Sequence, residues 1–137
     1  MLLNDDIPGD FEDPGLDGFV SFAGPIYVRR DGWHVAGFRV REEHCNRQGI
    51  CHGGWLATFA DVLLVFGSIR REDYERTSLR TISLQMDFVG AARLGDWVEG
   101  EAELLGQTRS MVFSQGLARV EGQPILRMNA TLSKRQR

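Results

Sequence analysis

Apolar and polar positions along this chain fall into two periods. From Gly53 to Ile69 (GGWLATFADVLLVFGSI) the residues are apolar almost without interruption, broken only by Thr58, Asp61 and Ser68. Trp55, Phe59, Val62, Phe66 and Ile69 recur at three- and four-residue spacing, while Leu56, Ala60, Leu63, Leu64 and Gly67 fill the neighbouring face. That spacing predicts a helix, and an apolar surface nearly all round predicts a buried one. Elsewhere the period is two. In Thr81 to Val89, Ile82, Leu84, Met86 and Phe88 alternate with Thr81, Ser83, Gln85 and Asp87, as in a half-buried strand. Ile26 to Arg30 and His34 to Arg41, split by Asp31-Gly32, read as a β-hairpin. Asp96 to Leu105, Ser110 to Val120 and Pro124 to Ser133 are further strands joined by short glycine-containing turns. The order β-β-α-β-β-β-β predicts an α+β domain, one buried helix against one antiparallel sheet.

Asp5, Asp6, Asp10, Glu12, Asp13 and Asp17 crowd the first eighteen residues among Pro8, Gly9, Pro14 and Gly15. That texture predicts a loose acidic arm or capping turn over residues 1–18, leaving 19–137 as a single domain. A length of 137 residues suits one domain with a real core. With 16 basic and 19 acidic residues the net charge is −3, which argues against nucleic acid or an anionic membrane as a partner. The apolar run is too short for a membrane span, holds Asp61, and is followed by Arg70-Arg71-Glu72-Asp73. The opening Met-Leu-Leu-Asn-Asp-Asp-Ile-Pro lacks the regions of a signal peptide, so the expected setting is cytoplasmic, with Cys45 and Cys51 reduced.

Asp61 is the sole charge between Arg47 and Arg70, set mid-helix among apolar neighbours. A buried, unpaired carboxylate costs several kcal/mol, so such a group is partnered, protonated or functional. The bland reading is an Asp bonded to a hydroxyl or amide where elements cross; the functional reading is a catalytic carboxylate. Gly53-Gly54 opens the same helix, where first-turn N–H groups favour negative charge and can stabilise an oxyanion. Gly53 and Asp61 are eight residues apart, about 12 Å along one helix. One helix cannot bring both to one carbonyl, but two antiparallel helices from different subunits can. If both act on the same bond, the protein is at least a dimer with shared sites.

The segment Asn46-Arg47-Gln48-Gly49-Ile50-Cys51-His52-Gly53-Gly54, continuing to Thr58, Ala60 and Asp61, resembles the N-x-x-G-x-x-H-G-G signature of hotdog-fold thioesterases. It is most similar to the phenylacetic-acid-degradation (PaaI-like) acyl-CoA thioesterase group. Thr81 to Asp96 (TISLQMDFVGAARLGD) also resembles that group's central strand and following turn, although Gly90-Ala91 stands where relatives often carry proline. The resemblance spans roughly residues 25–133 and implies a hotdog fold, dimers that often pair into tetramers, and hydrolysis of acyl-CoA thioesters without metal or bound cofactor. By position, Asp61 matches the catalytic nucleophile or general base, and Gly53 the amide that polarises the thioester carbonyl. Asn46 and His52 match the polar groups beside it, and Thr81 a Ser or Thr that positions water. Gly54, Trp55 and Thr58 are candidates to line the substrate site. A non-catalytic acyl-CoA-binding domain and a hotdog hydratase or dehydratase are the alternatives.

Other candidates are weaker. His44-Cys45 and Cys51-His52 lack the usual zinc spacing, and Cys51 reads as a small buried hydrophobe. Trp33, Trp55 and Trp97 read as core or interface residues, Trp55 with a possible role in an acyl pocket. Arg109, Lys134, Arg135 and Arg137 could meet coenzyme A phosphates, though a solvated turn and tail is the simpler reading; Arg109 is retained as a candidate.

Overall fold

The computed structural model describes residues 6–136; Asp5 and Arg137 lie outside them. In chain order the elements are β1 (Phe11–Glu12), α1 (Phe19–Ala23), β2 (Tyr27–Arg29), β3 (Gly32–Arg39), α2 (Gly53–Phe66), β4 (Thr77–Phe88), β5 (Trp97–Gln107), β6 (Met111–Val120) and β7 (Gln123–Gln136). The strands form one antiparallel sheet in the order β1-β2-β3-β5-β6-β7-β4. The predicted α+β architecture is therefore present, with α2 lying against β3 through β7. β4 follows α2 in sequence yet crosses to the far edge of the sheet. Its outer edge has no partner strand among the described residues.

Burial explains the apolar texture of α2. Phe59, Ala60, Leu63 and Leu64 are fully covered, on the side facing Val98, Val112, Leu126 and Leu132 of the sheet. Gly100 on β5 makes this close approach possible, since a Cβ there would lie 2.5 Å from Leu63 Cδ2 and 3.0 Å from Phe59 Cε2. Each large apolar side chain taken from water contributes about 1.5–3 kcal/mol. The opposite flank of α2, carrying Ala57, Thr58, Asp61, Val62 and Val65, is only half-buried. No helix among the described residues is long and apolar enough to cross a membrane.

Two differences from the sequence pattern have clear causes. The helix stops at Phe66 rather than Ile69, where the Gly67 N–H bonds Leu63 O and the Ser68 hydroxyl donates to Leu64 O at 2.6 Å. The acidic segment is also more than a loose arm. Phe11–Glu12 pairs with β2, and Phe11 is buried with its ring edge-on to Trp97 at 5.2 Å. One aromatic side chain among acidic turn residues anchors this stretch to the sheet, while Asp6, Asp10, Asp13 and Asp17 remain on the surface.

Phe59 is a fully buried core ring, 4.9 Å from the Phe38 centroid. Phe59→Ala is expected to lower unfolding free energy by about 3–5 kcal/mol, read from the denaturant midpoint at unchanged slope.

Candidate active site

The segment between β3 and α2 is folded back on itself. Cys45 and Cys51 face each other in an antiparallel bridge, Asn46 N–H donates to Ile50 O at 2.8 Å, and Gly49 N–H donates to Asn46 O. Gly49 supplies the φ of +74° that closes the turn. Asn46 Oδ1 accepts the amides of Gln48 (2.9 Å) and Ile50 (3.2 Å). Its side-chain oxygen thus shapes the loop. The far end is tied down by Cys51 N–H to Ala92 O and by His52 N–H to His44 O at 2.7 Å.

His52 then caps α2. Its backbone is extended and its Nδ1 accepts the Gly54 amide at 2.8 Å. The Trp55 and Leu56 amides both donate to His52 O. Of the first-turn donors, only the Gly53 N–H has no acceptor among the described residues. It sits at the positive end of the helix dipole. The Phe88 ring lies beside it, with Cε1 and Cζ each 3.4 Å from where a Gly53 Cβ would be.

Two turns further on, Asp61 meets Thr81. The Thr81 hydroxyl donates to Asp61 Oδ1 at 2.5 Å, within the range of hydroxyl–carboxylate bonds. Asp61 Oδ2 has no hydrogen-bond partner among the described residues and remains available. The carboxylate is half-buried, neither sealed in the core nor free in solvent.

Thr81 reaches Asp61 because β4 is not regular. Phe88, Met86 and Leu84 pair with Leu126, Met128 and Ala130, the helix-facing positions of β7. Strict alternation would put Thr81 on the opposite face. Instead the register shifts between Thr81 and Ser83, Ile82 is left exposed, and Thr81 pairs with buried Leu132. One extra residue therefore turns the hydroxyl onto the helix side.

The remaining candidates separate. Thr58 Oγ1 donates to Gly54 O at 3.1 Å, a bond within the helix, and the Gly54 amide is already taken by His52. Trp55 is not a lining residue. It is buried, stacked on His44 at 4.4 Å and edge-on to Phe38. Arg109 occupies the exposed turn between β5 and β6, two strands across the sheet from β4, and is not gathered with Asp61 and Thr81. Burial, with Cys45 adjacent, pushes the Cys51 thiol up to about 12. Phe88 had no functional reading from sequence, and His44 only a zinc reading that its spacing disfavours, because burial and edge position are set by topology.

A profile of the thioesterase superfamily matches residues 48–125, more than half of the chain and spanning both halves of this site. The chain belongs to the thioesterase superfamily. Among its relatives is PA0474 of Pseudomonas aeruginosa, whose name marks it as a candidate esterase; it is 42% identical over 94 residues, 66% of this chain and 69% of that protein. The hotdog fold is shared with solved structures of low identity. A mutant of the phenylacetic acid degradation protein PaaI from Thermus thermophilus is 20% identical with a TM-score of 0.68, covering 85% of this chain and 98% of that one. A protein from Streptococcus pneumoniae described as a hypothetical thioesterase, solved with coenzyme A, is 17% identical with a TM-score of 0.63, covering 84% of this chain and 81% of that one.

In this thioesterase-superfamily chain burial disfavours the thiolate of Cys51, the form that reacts. Iodoacetamide is expected to leave Cys51 unmodified in the native protein and to label it in urea, as read by peptide mass spectrometry. Rapid native labelling would contradict the burial.

Proposed function

We propose that this chain hydrolyses the thioester of a small acyl- or aryl-coenzyme A in sites shared by two protomers, Asp61 coming from one and the Gly53 amide from the other. The observation that carries the reading is that α2 bears two unspent groups, Asp61 Oδ2 and the Gly53 N–H, about 12 Å apart along one helix. They cannot meet at one carbonyl within a protomer. The unpaired outer edge of β4 supports a partner there. A long open edge is a liability unless covered. Pairing two β4 edges about a twofold axis would extend the sheet, set the two α2 helices antiparallel, and bring each Asp61 toward the other copy's Gly53. Dimers could pair again into tetramers on other faces.

The chemistry needs three parts, and each has a residue. The Gly53 N–H donates to the thioester oxygen and more strongly to the oxyanion that replaces it. Asp61 acts either by attacking the carbonyl carbon or by taking a proton from a water that does so. Through Thr81, one carboxylate oxygen is held and the other left directed outward. Collapse of the tetrahedral intermediate breaks the carbon–sulfur bond, expelling the coenzyme A thiolate, and leaves the free acid or, after Asp61 attack, an anhydride that water opens. Coenzyme A as the carrier draws on the bound ligand of the Streptococcus pneumoniae structure. No metal or cofactor enters these steps.

Thiol release from a panel of acyl-CoAs tests the reading. Asp61→Asn is expected to lower kcat about 10²–10⁴-fold while leaving a folded dimer. Gly53→Pro is the matching change. Proline suits the first helical position and replaces the N–H hydrogen with its ring Cδ, while its Cβ would stand at ordinary contact from Phe88. It is expected to cost about 10²–10³-fold in kcat. Saturable acyl-CoA binding without thiol release would favour a non-catalytic binding domain instead.

A further inference from the structure

We propose that His44 is the positioning residue of the site, fixing the direction in which the Gly53 N–H points. The inference rests on Gly53 being the oxyanion donor. The His44 side chain is buried, at 3% exposure, and joins four segments of the chain. Its Nδ1 accepts the Arg41 N–H at 3.0 Å, just past the end of β3. Its Nε2 lies 2.7 Å from Ala23 O at the end of α1. The ring stacks on Trp55 in the first turn of α2, 4.4 Å between centroids and 3° from parallel, with Phe38 of β3 edge-on at 5.7 Å. Its own carbonyl accepts the His52 N–H.

One protonation state satisfies this set. A carbonyl at Nε2 needs a proton there, and an N–H at Nδ1 needs a lone pair, so the ring is the neutral Nε2–H tautomer. A second proton would set N–H against N–H at Arg41. Burial, the largest influence, holds the His44 pKa below the ordinary 6.5, with Arg41 also lowering it; Ala23 O, Glu43 and the Arg39 backbone of β3 act the other way, and α2 and β3 otherwise present the uncharged rings of Trp55 and Phe38.

The geometry bears directly on Gly53. Its N–H belongs to the same planar trans peptide as the His52 carbonyl, so the two point in opposite directions. His44 holds the N–H on the near side of His52 through its own carbonyl, and the ring holds Trp55, whose amide bonds the His52 carbonyl. Gripped on both sides, the peptide cannot rotate without breaking one of these contacts. A plain aromatic would fill the same space without burying two polar atoms. The imidazole does more by also satisfying Arg41 N–H and Ala23 O, which otherwise would be left to unpaired burial or to solvent.

Two substitutions separate the roles. His44→Phe keeps the stack and removes both hydrogen bonds; His44→Gln restores a donor and an acceptor on one side chain. In His44→Phe, amide exchange at Trp55 and Leu56 is expected to rise about tenfold or more, and kcat to fall by a similar factor with KM within about twofold. His44→Gln should recover most of both. A folded His44→Phe with unchanged exchange and kcat would overturn the proposal, as would a loss confined to KM or one that Gln does not relieve. Ring ¹⁵N shifts of the wild type give an arm that needs no variant: the Nε2–H tautomer at neutral pH is expected, and a cationic or Nδ1–H ring would also overturn it. If the wild type releases no thiol from any acyl-CoA, the thioesterase reading fails, while exchange and tautomer still decide the role of His44.

Discussion

A single hydroxyl–carboxylate bond, Thr81 to Asp61 Oδ1, joins the middle of the helix to the edge of the sheet, and the surrounding architecture serves to make it. Helix α2 is apolar enough that a carboxylate two turns in would be expelled or neutralised on its core side. It survives because Asp61 falls on the half-buried flank, where one oxygen is bonded to Thr81 and the other has no partner among the described residues. The strand that supplies the hydroxyl is the open edge strand. The register shift after Thr81 turns that hydroxyl inward at the cost of exposing Ile82.

The other end of α2 works by elimination. Of the four orphan donors at the helix start, the Gly54 amide goes to the His52 ring, the Trp55 amide to the His52 carbonyl and the His52 amide to His44 O, which leaves one. That donor sits on a glycine, where nothing but the Phe88 ring crowds the backbone. The turn around Asn46 and Gly49, the Cys45–Cys51 bridge and the buried His44 ring all hold the chain before it. On the proposed reading each protomer carries two half-sites at opposite ends of one helix segment, and a twofold axis is the simplest operation that would make them whole.

Much of this was legible in the residues. The three- and four-residue recurrence from Trp55 to Phe66 marks α2 because a buried helix must be apolar on most of its surface. Asp61 stands out because it breaks that pattern. Thr81 was legible as a family position, yet alternation alone puts it on the wrong face, since a one-residue bulge leaves no mark in a run of alternating residues. Trp55 read first as a core or interface residue and second as a pocket residue; the buried His44 ring stacked on it puts it in the core. Phe11 was hidden in acidic turn residues, and its place depends on Trp97, far along the chain. Phe88 reads as an ordinary inward residue of a strand, because nothing local says that β4 ends the sheet.

Subunit complementation tests the shared site most directly. Asp61→Asn and Gly53→Pro are each purified, shown to be inactive dimers, then mixed, dissociated and reassociated. If the catalytic acid and the amide act across the interface, half of the dimers become hybrids with one intact site of two, and activity returns to roughly a quarter of wild type. If the two groups serve one carbonyl within a single protomer, every site in the mixture carries a defect, and hybrid dimers stay as inactive as their parents.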